Sequence, residues 1–176
     1  MEIYDAGFEV SSKADASPVT EADIAAEAII LDGLTQVAPT ANIIAEEAVS
    51  AGAIPKVTSE FYLVDPLDGT REFVSRNGEF TVNIALVRDG MPVSGVVYAP
   101  ALSKLFAGED TSGAYQTHLD ASQPFPDSPA LQPIECPDLP AANIKVVASR
   151  SHRDEKTDSW LAQRDIAEIV AAGSSL

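Results

Sequence analysis

The sequence predicts an α+β fold that leads into an α/β unit, with an antiparallel sheet packed on helices. Three observations carry this expectation. Residues 21 to about 34 repeat apolar side chains at helical spacing. Residues 79–99 alternate apolar and polar positions around an Asp89-Gly90 turn, the pattern of a hairpin. Residues 144–171 read strand, helix, strand, the order that opens an α/β unit.

The elements follow in order. The polar segment SSKADASPVT ends at Thr20, which reads as an N-cap, with Asp23 completing a variant capping box. Ile24, Ala25, Ala28, Ile29 and Leu31 then form the apolar stripe of the helix. Residues 42–45 (NIIA) predict a short buried strand ended by Glu46-Glu47, and a loop with Gly52 and Pro55 follows. Residues 61–65 (FYLVD) predict a second strand, stopped by Pro66, which has no N–H to give a ladder. Gly69 supplies the backbone freedom of a tight turn. Phe80, Val82, Ile84 and Leu86 line one face of the next strand, residues 93–99 return, and residues 104–107 and 113–116 extend the sheet. Residues 118–142 hold six of the twelve prolines and read as an irregular surface connector. Beyond it come a strand at 144–148, a helix from 153 to about 164 and a strand at 168–171. The expected division is a domain at 1–142, connector included, and the start of a second at 143–176.

Composition excludes several function classes. With 27 acidic and 11 basic residues the net charge is −16, so a nucleic-acid polymer would be repelled. No apolar stretch approaches the roughly 18 residues of a membrane span, so no integral membrane contact is expected. MEIYDAGFEV lacks the basic and apolar segments of a secretory signal. The single cysteine, Cys136, excludes a disulfide framework and a multi-cysteine metal site. A chain this acidic that handles small phosphate esters has to recruit cations.

The segment Val64-Asp65-Pro66-Leu67-Asp68-Gly69-Thr70 carries the most chemistry. Its two aspartates flank a proline-stiffened turn at a strand end, with the Leu67 carbonyl as a further oxygen between them. Magnesium takes oxygen ligands at about 2.0–2.1 Å and keeps water and substrate phosphate in its shell. Amides at Gly69 and Thr70, if a helix starts there, would face a phosphate oxygen. The same residues also read as a plain turn whose aspartates cap backbone amides. Glu46-Glu47 reads equally as a solvated pair, and adjacent strand residues face opposite ways, so one joins a cluster more easily than both. Asp23 sits in a first helical turn, where the macrodipole alone accounts for it. The coincidence of all three at element ends marks the candidate site. Arg71, Arg76 and the strand end Ser149-Arg150-Ser151-His152 are weaker candidates. His118 and His152 lack mutual ligand spacing, Cys136 has no basic neighbour, and Trp160 reads as helix packing.

The run VDPLDGTREFVSRNGEFTVNIALV, with SKADASPVTEAD and AEE upstream, resembles the inositol monophosphatase superfamily of metal-dependent phosphatases. Within it the chain is most similar to the bacterial 3'(2'),5'-bisphosphate nucleotidases, where SKAD, SPVT, the EFTVNIAL strand and SRSH have counterparts. The resemblance implies the N-terminal half of a layered αβαβα sugar-phosphatase-like fold, with the second domain incomplete. It implies two or more Mg2+ ions held by Glu46, Asp65, Asp68 and the Leu67 carbonyl, with Asp65 bridging. Glu46, Leu67, Asp68, Gly69 and Thr70 would bind substrate. Asp23 and Thr70 would orient the attacking water, with Glu47 in support.

Two departures are visible. The family's usual helix ahead of Met1 and its later Trp-Asp ligand have no match, since Trp160 is followed by Leu161. The chain therefore reads as a fragment truncated at both ends, expected to bind magnesium weakly and turn over little. The resemblance also implies a small phosphorylated substrate and a cytoplasmic location, for some members at the inner membrane face.

Uncatalysed phosphate monoester hydrolysis is slow enough to call for up to ~10²¹-fold acceleration. A positioned acid or base supplies only about 10²–10⁴-fold of this, whereas two metal ions act on nucleophile, phosphate and leaving oxygen together. The expected reaction is magnesium-dependent removal of the 3'-phosphate from adenosine 3',5'-bisphosphate or its sulfated form. The alternatives are an inositol- or sugar-phosphate monoesterase of the same superfamily and an inactive cation-binding chain. A haloacid dehalogenase site, which also uses a DGT motif, separates its aspartates by one residue rather than the two found here.

Overall fold

The computed structural model describes residues 1–12, 18–136, 138, 142–150 and 153–175. A short helix, α1 (Glu2–Ala6), precedes the paired strands β1 (Val10–Ser12) and β2 (Pro18–Thr20). Thr20 then caps α2 (Glu21–Val37), its hydroxyl accepting from the Ala22 N–H while Asp23 closes the capping box. β3 (Ile43–Ala45) runs parallel to β4 (Glu60–Asp68). Between them Glu46 and Glu47 do not end a strand in a loop but open helix α3 (Glu46–Ser50), where two first-turn carboxylates suit the helix dipole.

Pro66 does not stop β4. The strand passes through it to Asp68, because the register shifts between Asp65 and Asp68 and the proline occupies a bulge that needs no ladder donor. α4 (Thr70–Val74) begins directly after Gly69. The meander β5 (Thr81–Arg88), β6 (Met91–Ala99), β7 (Lys104–Glu109) and β8 (Gly113–His118) is antiparallel throughout, as the alternation predicts. The connector is less irregular than its prolines suggest: β9 (Gln132–Ile134) pairs with β8 and ends the sheet ordered β3-β4-β5-β6-β7-β8-β9.

A separate parallel pair, β10 (Ile144–Ser149) and β11 (Ile166–Ala172), is joined through α5 (Glu155–Ala162). The helix starts at Glu155 rather than at 153 because Asp154 caps it, accepting from the Thr157 N–H at 2.8 Å. Trp160 does not pack a helix face; it is half exposed, with the Arg164 guanidinium 3.4 Å from its ring centroid.

The core beneath the DPLDGT turn is aromatic. Leu67, Phe73 and Phe80 are buried, and Tyr4 and Phe8 from the start of the chain pack on them. Phe73 meets Phe80 edge-on at 4.9 Å, and Tyr4 reaches both rings at 5.0 and 5.1 Å. The turn thus stands on a rigid floor. Arg76 is spent there too, its guanidinium 5.7 and 5.6 Å from the Tyr4 and Phe8 rings.

Candidate metal and phosphate site

Four elements meet at the DPLDGT turn: the start of α2, the start of α3, the bulged end of β4 and the Gly69-led start of α4. Asp23 is almost fully buried, and its two oxygens serve different partners. Oδ2 accepts from the Thr20 N–H and hydroxyl, both at 2.7 Å, while Oδ1 accepts from the Thr70 hydroxyl at 3.2 Å. Thr70 Oγ1 also lies 3.3 Å from the Leu67 carbonyl. The helix dipole alone therefore does not account for Asp23, which links the α2 cap to the turn.

Asp65 is half buried beside Glu46. Burial, the Glu46 charge and hydrogen bond, and the Asp68 charge together push its carboxyl up to about 7, against a smaller downward pull from the Leu67 N–H. A side-chain hydrogen bond joins Asp65 to Glu46. Glu46 is some twenty residues away in sequence and arrives because β3 lies parallel to β4, with Ala45 opposite Val64. The Leu67 N–H donates to Asp65 Oδ1 at 3.2 Å, holding the turn closed.

Asp68 belongs to the same electrostatic cluster but points its Oδ2 elsewhere. The hydroxyls of Ser174 and Ser175 donate to it at 2.6 Å each, with Asn83 Nδ2 at 3.4 Å and Thr81 Oγ1 at 3.5 Å. Among the described residues no group of three acidic, histidine or cysteine side chains is placed so that it could hold a metal ion. In its chemistry, though not in its placement, the donor set suits a hard cation. Its groups are oxygens, two of its carboxylates are pressed together, and Asn83 Oδ1 is a buried acceptor without a hydrogen-bond donor.

Gly69 shapes the far side. Its φ of +88° lies in the left-handed region, and a Cβ there would stand 3.0 Å from Ser174 Cβ and 3.2 Å from the Glu79 carbonyl. Glu79 is the hub of this edge: Oε1 accepts from Arg150 Nη2 and Oε2 from the Gly173 N–H, each at 2.9 Å. Arg150 is thus engaged by Glu79 and the Ala171 carbonyl, and Arg71, His118 and Cys136 are exposed. Lys13 to Ser17, Ser151 and His152 lie outside the described residues.

Sequence reasoning missed Thr81, Asn83, Ser174, Ser175 and Glu27. A signal existed for three of them: Thr81 and Asn83 are polar interruptions on the β5 face opposite Phe80 and Val82. Glu27 sits four residues after Asp23, hence on the same helix face. No local pattern marked the serines.

The sequence pattern of the inositol monophosphatase family matches residues 2–173. The 3'(2'),5'-bisphosphate nucleotidases CysQ of Escherichia coli K12 and Shigella flexneri are each 39% identical over 178 aligned residues, covering all of this chain and 68% of theirs. Among solved structures, CysQ from Bacteroides thetaiotaomicron superposes with a TM-score of 0.72 at 32% identity, over 92% of this chain and 62% of that one. An IMPase from Thermotoga maritima gives 0.77 at 24% identity, over 99% of this chain and 63% of its own, a likeness of fold. The chain thus spans about two thirds of the length of these relatives. Matched along nearly its whole length, and sharing a layered α+β architecture with its structural neighbours, the chain belongs to the inositol monophosphatase family.

Proposed function

We propose that the chain carries the catalytic turn of a magnesium-dependent phosphate monoesterase that removes the 3'-phosphate of adenosine 3',5'-bisphosphate or its sulfated form. The observation that supports it most is the crowding of Glu46 on Asp65, with Asp68 and the Leu67 carbonyl on the same turn. Carboxylates crowded this closely repel when both are ionised, a repulsion that a divalent cation between them relieves. The nucleotide preference comes from the similarity to the CysQ bisphosphate nucleotidases.

In this reading Glu46, Asp65, Asp68 and the Leu67 carbonyl hold two or more magnesium ions. When bound, these ions supply neutralisation of phosphate charge and activation of the attacking water. Thr70 Oγ1 would accept a hydrogen bond from the attacking water while its own hydrogen is donated to Asp23 Oδ1, at 3.2 Å, orienting the water. Asp23 is fixed for this task by its two bonds to Thr20. Gly69 and Thr70 would bind the substrate phosphate at the start of α4, where the left-handed φ of Gly69 and its close packing on Ser174 and the Glu79 carbonyl fix the turn. Glu47 supports the arrangement through its place in the first turn of α3.

The test is phosphate release from adenosine 3',5'-bisphosphate, inositol 1-phosphate and a sugar phosphate, with millimolar magnesium or with chelator. Slow but magnesium-requiring release, fastest from the bisphosphate and absent in Asp65→Asn, supports the reading. Preference for inositol phosphate would replace the nucleotide, and release indifferent to chelator would overturn the mechanism.

A further inference from the structure

We propose that Glu27 is a positioning residue: its carboxylate grips the first turn of α3 and thereby sets Glu46 against Asp65. The proposal rests on the reading of Glu46 and Asp65 as cation ligands. α3 has five residues, too few to stand alone in water, and its N-cap, Ala45, brings no side-chain acceptor. Its first N–H groups would be left without partners. Glu27 supplies them from another helix, accepting from the Glu47 N–H at 2.7 Å and from the Ala48 N–H at 2.8 Å, one on each oxygen.

These are charge-assisted bonds, and they are shielded, since Glu27 is only 6% exposed. The preceding residue of α3 is Glu46, so the grip acts one residue from the carboxylate that meets Asp65. Asp23 stands one helical turn earlier on α2 and holds Thr70 from the same face. A single face of a 17-residue helix therefore spaces both halves of the site. Two acceptors facing two donors require a carboxylate. Glutamine would turn an NH2 group toward one of those N–H groups.

Binding of Mn2+, as a spectroscopic probe for Mg2+, to the whole chain tests this by electron paramagnetic resonance. The variants are Glu27→Gln and, as a control for lost stability, Leu161→Ala, which truncates a buried side chain of α5 that takes no part in the grip. Glu27→Gln is expected to weaken Mn2+ binding by about 10–100-fold, the usual effect of losing an outer-shell partner, while Leu161→Ala leaves it within threefold. Equal affinity of Glu27→Gln and the parent overturns the proposal. A parent that binds no Mn2+ instead sinks the reading of the cation site. Hydrogen exchange on the parent gives a second measurement, decisive even if Glu27→Gln fails to fold. The Glu47 and Ala48 amides, which first-turn geometry leaves open, are expected to be protected. Rapid exchange at both overturns the grip.

Discussion

Asp65 is where the site's electrostatics concentrate, and its titration has a defined sign. Its carboxyl is raised from an ordinary 3.8 to about 7 in the folded chain, so the fold binds a proton more tightly than the unfolded state does. That contribution to stability is full below about pH 4 and is lost as pH rises through about 7. In chelator, the unfolding midpoint should fall between pH 5 and pH 8, and Asp65→Asn should flatten the part of that fall owed to this group. Magnesium should remove the same part by replacing the proton with a cation, which thermal scans with and without metal will show. Asp68 separates structure from chemistry in another way. Asparagine keeps an oxygen for the Ser174 and Ser175 hydroxyls, so Asp68→Asn should shift stability by no more than about 1 kcal/mol. It loses the anionic oxygen a hard cation favours, and magnesium-dependent phosphate release should disappear. Unchanged release at saturating magnesium would make Asp68 a turn residue only.

At the scale of elements, the regular pieces were legible and their joints were not. Thr20 with Asp23, the β5–β6 alternation and Asp89-Gly90 announce α2 and the hairpin because caps, period and turn chemistry are local signals. The β4 bulge at Pro66 depends on β5 lying opposite, with Asp65 beside Asn83 and Asp68 beside Thr81, which no local rule contains. α1 escaped notice for a similar reason: its five residues are held by Tyr4 against Phe73 and Phe80, not by propensity. The joint between β11 and the turn makes a prediction of its own. A Cβ on Gly173 would lie 2.6 Å from Glu72 Cγ and 3.1 Å from Glu79 Oε2. Glu72 is buried, so Gly173→Ala should destabilise the chain by about 1–3 kcal/mol, the usual cost of overpacking. Denaturant unfolding measures it, and a neutral result would show that Glu72 yields freely.

Over the whole molecule, the candidate site was legible as a set of carboxylates and illegible as a shape. Asp23, Glu46, Asp65 and Asp68 stood out because each is an acid at an element boundary. Their partners Glu27, Ser174 and Ser175 are ordinary residues until parallel pairing of β3 with β4, and the return of the chain beyond β11, bring them in. The net charge of −16 gives this cluster a global setting, since every anion added to a site already crowded raises self-repulsion. Divalent cations should therefore stabilise the chain far more than equal ionic strength of a monovalent salt, with Asp65→Asn removing the difference. The most direct measurement is a calorimetric magnesium titration of the chain and of Asp65→Asn at pH 7.5. The parent is expected to bind magnesium saturably, with proton release that grows as the pH is lowered toward 7, and Asp65→Asn to bind at least about tenfold more weakly. Equal binding by both proteins would contradict the assignment of this turn as the cation site.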